Sequence, residues 1–82
     1  MPQSERANNL KRMVEWLASF DDGATVQAIR AYTKWDITEG GATDATIKKY
    51  IEDLDRGDLI EYKHPFWKVT EYGRRWLEEH RL

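Results

Sequence analysis

The chain has 82 residues, with a hydrophobic fraction of 40%, four tryptophans, four tyrosines, two phenylalanines and no cysteine. That suffices for one modest core but not two, and the absence of thiols excludes a disulfide scaffold, a cysteine nucleophile and a thiolate metal site. Thirteen Lys and Arg against fifteen Asp and Glu leave a net charge of −2, which argues against indiscriminate coating of polyanions but leaves room for a cationic face.

No run reaches the roughly 18 apolar residues of a membrane span, and no hydrophobic leader segment opens the chain, so a cytoplasmic protein is expected. Residues 1–82 read as a single unit without repeat, low-complexity tract or linker. Residues 1–4 read as a frayed lead with Ser4 as N-cap of a first helix, H1, in which Leu10, Met13, Val14, Leu17 and Phe20 recur at helical spacing. Trp16 widens that apolar arc. Asp21-Asp22-Gly23 stops the helix, and Thr25 caps a second, H2, with Val26, Ala28, Ile29 and Tyr32 on or near one side.

Residues 33–42 are the least regular stretch. Gly40-Gly41 reads as loop, while Trp35 and Ile37 suit an extension of H2, a short strand or a fold-back over the core. Thr43 or Asp44 then caps a third helix, H3, whose Ile47, Ile51 and Leu54, with Tyr50 alongside, form an apolar stripe ending at Gly57. Leu59 to Lys63 and Phe66 to Val69 suit two strands, S2 and S3, joined by a tight bend at His64-Pro65. Thr70 caps a last helix, H4, with Tyr72, Trp76 and Leu77 expected inward and Arg74, Arg75, Glu78 and Glu79 outward.

Two passages carry a resemblance. Leu54-Asp55-Arg56-Gly57-Asp58-Leu59-Ile60 resembles the join between the third helix and the wing of winged helix-turn-helix proteins. Val69-Thr70-Glu71-Tyr72-Gly73-Arg74-Arg75-Trp76-Leu77 resembles the strand that leads into their final helix. The likeness spans most of residues 5–80 and is nearest to small bacterial and archaeal transcription-regulator domains. It implies an α+β winged helix-turn-helix in the order H1-H2-(loop or short strand)-H3-S2-wing-S3-H4. The stretch 33–42 departs from the pattern, since a compact helix-turn-helix has a turn of only a few residues.

The resemblance implies double-stranded DNA as partner, with H3 in the major groove. Lys49 is the first candidate for base edges, followed by Lys48, Thr46, Ala45 and Thr43, because Lys donates to guanine acceptors and Thr offers a hydroxyl or a methyl. Arg56, Lys63, His64 and Lys68 are the phosphate candidates. The competing reading of the H3 cations is an ordinary solvated face, with Glu52 paired to Lys48 or Arg56 four residues away.

Trp16, Met13 and Phe20 in H1, Trp76 in H4 and the terminal Leu82 form a candidate surface for a homodimer or another protein partner. The alternative to DNA binding is a winged helix used only for protein–protein contact. No histidine–carboxylate–nucleophile grouping, phosphate-binding glycine loop or metal-ligand cluster stands in the sequence, so no catalytic role, cofactor or metal is expected.

Overall fold

The computed structural model describes residues 2–80, with side chains from Glu5 to His80. Its elements are helix α1 (Pro2–Ala18), helix α2 (Val26–Tyr32), a π-helical turn (Thr33–Ile37), helix α3 (Asp44–Arg56), strands β1 (Ile60–Lys63) and β2 (Phe66–Val69), and helix α4 (Glu71–Glu79). Three helices, an antiparallel hairpin and a fourth helix in that order match the α+β winged helix-turn-helix topology.

α1 begins at Pro2, so Ser4 lies inside the helix and not at its N-cap position. The other three helices each start at a threonine in extended conformation. Thr25 accepts from the Ala28 N–H, Thr43 from the Thr46 N–H and Thr70 from the Gly73 N–H. Each satisfies a donor that the helix leaves without an internal partner, worth about 1 kcal/mol per cap.

The core collects side chains from every element. Met13, Val14 and Leu17 of α1 meet Ile29 of α2, Ile47, Ile51 and Leu54 of α3, Ile60 and Val69 of the hairpin and Leu77 of α4. Val14, Ile47 and Ile60 are among the most deeply buried, so truncating any of them to Ala should cost about 2–5 kcal/mol. α1 and α4 run antiparallel, tied by Lys11 Nζ donating to the His80 carbonyl and Arg74 donating to the Ala18 carbonyl.

Residues 33–42 take the helical alternative at first, then a loop. The chain beyond Tyr32 widens into a π turn closed by the Thr38 N–H on the Thr33 carbonyl. Arg12 of α1 donates to the carbonyls of Asp36 and Ile37, which a helix end leaves without partners. The short strand allowed for this stretch is absent. Instead Ala24, between α1 and α2, forms a single antiparallel bridge to Trp67, with N···O distances of 2.9 and 2.8 Å.

α3 ends in a Schellman arrangement: the Leu59 N–H reaches the Leu54 carbonyl and the Asp58 N–H the Asp55 carbonyl. The left-handed residue is Asp58, at φ 61°, whereas Gly57 has an ordinary φ of −83°. Expecting Gly57 to supply the reversal therefore misplaces it by one residue. Tyr72 is a second correction. It is 55% exposed, because Gly73 and Leu77 take the inner face of α4 and Tyr72 lies about 100° round the helix from Gly73 and about 140° from Leu77.

Gly23 and Gly73 are set by close backbone approach. A Cβ on Gly23 would meet the Trp67 carbonyl oxygen at 2.0 Å, and one on Gly73 would meet the Leu59 carbonyl oxygen at 2.3 Å. Gly23→Ala and Gly73→Ala should each lower stability by about 2 kcal/mol or more in chemical denaturation, whereas Gly57→Ala should stay within about 1 kcal/mol. Thr33 is fully buried and its hydroxyl has no partner. Thr33→Val should therefore raise stability by about 1 kcal/mol, read as a higher denaturation midpoint at unchanged slope.

Candidate nucleic-acid interface

The stripe expected on α3 is the buried one: Ile47, Tyr50, Ile51 and Leu54 face the core. At about 100° per residue the opposite side must then carry Ala45, Lys49, Glu52 and Arg56, with Lys48 and Asp55 at its margin, and all six are exposed. Arg6 of α1 fixes the helix from the side, pairing with Asp53 and lying 5.6 Å from the centre of the Tyr50 ring. The outward face of α3 is thus set by contacts on its other sides.

Thr43 and Thr46 sit at the entering end. The Thr43 hydroxyl is committed to the cap and lies 3.1 Å from the Thr46 hydroxyl. Thr46 is half-buried, so of the two Thr43 is the more accessible. Among the described residues the ion pairs are Arg6–Asp53, Lys63–Glu61 and Arg75–Glu71. Glu52 pairs with neither Lys48 nor Arg56, and all three are exposed along one helix face.

The hairpin is a narrow ribbon. Ile60 pairs with Val69, Glu61 with Lys68, Tyr62 with Trp67 and Lys63 with Phe66, leaving only His64 and Pro65 in the loop, joined by a cis peptide. Because paired residues share a face and successive ones alternate, Ile60, Tyr62, Trp67 and Val69 lie on one side, and Glu61, Lys63, Phe66 and Lys68 on the other. Of the phosphate candidates, His64 and Lys63 are exposed at the tip and Lys68 is half-buried nearer the root. Lys63 is 3.7 Å from Glu61, a solvent-exposed pair worth under about 1 kcal/mol.

The partner-surface candidates divide. Met13 is 3% exposed and its side chain is used up in the core. Trp16 is half-buried, stacked on Tyr32 at 4.5 Å and edge-on to Phe20 at 4.9 Å, with Phe20 exposed. Trp76 packs against the core beneath the His80 ring at 4.5 Å. Leu82 lies outside the described residues.

Several exposed groups were not anticipated. Trp35, on the π turn, is 64% exposed with the Lys34 ammonium 5.4 Å from its ring centre, and Arg30 of α2, earlier in the chain, is also exposed. Tyr62 and Phe66 project from the hairpin. An aromatic residue in a strand pattern signals burial as readily as exposure, and Tyr62 is exposed although it shares a face with buried Ile60 and Val69, because it stands nearer the tip.

These features define a small α+β domain with the winged helix-turn-helix order and a solvated, mixed-charge face on its third helix. A scan of protein-family models, a search of curated proteins and a search of solved structures each return no match. No helix among the described residues is long and apolar enough to cross a membrane, and none of their His, Asp or Glu groupings could hold a metal ion.

Among the described residues the side chains of Lys48 and Lys49 enter no ion pair or hydrogen bond, so their double alanine variant should melt within about 0.5 kcal/mol of the parent. Thr43→Ala should instead cost about 1 kcal/mol and fray the first turn of α3, visible as faster amide exchange at Ala45 and Thr46.

Proposed function

We propose that this chain is a double-stranded DNA-binding regulator or accessory factor of the bacterial or archaeal winged-helix kind, acting as a homodimer. The observation that carries the reading is the face of α3. Lys49 stands exposed opposite the buried stripe and Lys48 exposed at its margin, neither in an ion pair among the described residues, on a helix held at its side by Arg6 and capped at its entering end by Thr43. Such a helix is pre-oriented, so binding does not have to order it first.

In this reading Lys49 and Lys48 donate to base edges in the major groove, with Ala45, Thr43 and Thr46 along its entering end. Arg56, Lys63, His64 and Lys68 hold phosphates and fix the register. Occupancy then blocks or recruits another DNA-acting protein. Asp44, Glu52 and Asp55 on the same helix repel phosphate, which limits non-specific affinity and makes binding depend on a well-fitted site.

The rival reading, a winged helix that contacts only protein, rests on one observation. Trp35 on the π turn, and the cluster of Trp16, Tyr32 and Phe20 where α1 meets α2, offer aromatic surface that includes no residue of α3. Trp16 and Phe20 also serve the homodimer proposal, with Trp76 the candidate from α4.

Titration against mixed-sequence duplex DNA at low and moderate salt separates the readings. The DNA reading predicts binding whose affinity falls with salt, a marked loss in Lys48→Ala/Lys49→Ala, and an Arg56→Ala variant whose log–log salt slope is shallower by about 0.9. Absence of binding at low salt, with a dimer or hetero-complex lost in Trp16→Ala or Trp35→Ala by light scattering, would establish the rival.

A further inference from the structure

The hairpin leaves one strand edge open. β2 is flanked by β1 on one side and, at Trp67, by Ala24 on the other, with N···O distances of 2.9 and 2.8 Å. In an antiparallel ribbon the N–H and C=O of one residue point to the same side, and successive residues alternate. Because the backbone of Trp67 points to Ala24, that of Tyr62, directly across from it, points away from β2. Ile60 points outward with Tyr62, whereas Glu61 and Lys63 bond inward. Among the described residues no main-chain group bonds to Ile60 or Tyr62 on that outer side.

We infer that this edge pairs with the same edge of a second copy of the chain, β1 against β1, antiparallel about a two-fold axis at Tyr62. Charge selects the partner. With Tyr62 opposite its own copy, Glu61 of one chain stands directly across from Lys63 of the other, and the symmetry repeats the match. The outward N–H and C=O groups of the two Tyr62 residues bond reciprocally. Glu61 and Lys63 share one face of the ribbon and already lie 3.7 Å apart within a chain. The dimer therefore joins two such pairs into four charges of alternating sign. On the opposite face the two Tyr62 rings meet, each 51% exposed alone and each backed by Trp67 at 5.0 Å.

Other registers fail on the same residues. An axis at Glu61 sets that carboxylate against its copy, and one at Lys63 sets ammonium against ammonium; like charges directly opposite are destabilising. An axis at Ile60 faces Glu61 with Leu59 and brings the second strand to the root of the ribbon, where β1 packs against α3. A lysine on a strand edge ordinarily deters pairing, but here the glutamate two residues before it makes the edge complementary to itself. The inference rests on the homodimer of the proposed function and not on its DNA, and it locates the contact on the ribbon instead of at Trp16, Phe20 and Trp76. Lys63 then faces a carboxylate, which leaves His64 and Lys68 as the ribbon's groups for phosphate.

A four-residue edge makes a small contact, so self-association is weak and is sought at high concentration. The test is sedimentation equilibrium of the full chain without DNA, from about 10 µM to about 1 mM. The parent is expected to behave as a reversible monomer–dimer system. Glu61→Lys alone and Lys63→Glu alone each set like charges opposite, and each should weaken the dimer roughly fivefold to thirtyfold. The exchanged variant Glu61→Lys/Lys63→Glu restores opposite charges and should recover affinity to within about threefold of the parent. Amide exchange at Tyr62 should slow as concentration rises, because its N–H enters the new ladder. Thermal melts of the three variants establish that the fold is kept.

Trp16→Ala should leave the association unchanged. A dimer lost in Trp16→Ala and indifferent to both charge reversals would overturn the inference while the homodimer reading stands. Failure of the exchanged variant to recover the dimer would also overturn it. A monomer throughout the concentration range would overturn the inference and the homodimer reading together.

Discussion

At the root of the hairpin, main chain lies directly on main chain. Gly23 passes so close to the Trp67 carbonyl that no side chain fits between them, and Gly73 does the same against the Leu59 carbonyl. Thr70 knits the second contact together: its N–H donates to the Leu59 carbonyl, its hydroxyl donates to the Asp58 carbonyl, and the same oxygen accepts the Gly73 N–H. One threonine thus closes the end of α3, the base of the ribbon and the start of α4. With Ala24 bridging to Trp67 on the other side, the direction of the hairpin relative to α3 follows from these contacts.

The energetics favour this local knitting over surface charge. Each threonine cap contributes about 1 kcal/mol, whereas exposed ion pairs such as Lys63–Glu61 and Arg75–Glu71 contribute little. Arg6–Asp53 is the more sheltered pair, with Arg6 also against Tyr50, and it acts by holding α3 at a fixed rotation. Rotation of α3 decides which side chains reach outward. What locks the helix also fixes the direction in which Lys48 and Lys49 face solvent.

How much could be read from the sequence depended on the range of the interaction. Thr25, Thr43 and Thr70 were legible because a cap is made within three residues, and the α3 stripe because Ile47, Ile51 and Leu54 repeat at helical spacing. The Ala24–Trp67 bridge was not, since a one-residue pairing has no period. The π turn depends on Arg12 reaching carbonyls more than twenty residues away in sequence, which no local pattern encodes. Gly57 and Asp58 both tolerate a turn, and which one turns left-handed is decided by where Leu59 must pack. Tyr72 and Met13 were misplaced for one reason: periodicity gives the apolar arc, but neighbouring elements decide which edge of it is covered. At the candidate site, the exposed cations of α3 were legible, while the exposure of Tyr62 was not, since its strand face is buried at Ile60 and Val69 and opens only towards the tip.

The account joins a rigid aim to a mixed-charge face, so its central claim concerns where a ligand touches. Amide chemical-shift mapping of the isotopically labelled chain with duplex DNA tests that directly. The account predicts shifts concentrated on the exposed residues of α3 between Thr43 and Arg56 and at the tip of the hairpin. Shifts centred on Trp16, Tyr32 and Trp35, or none at low salt, would contradict it.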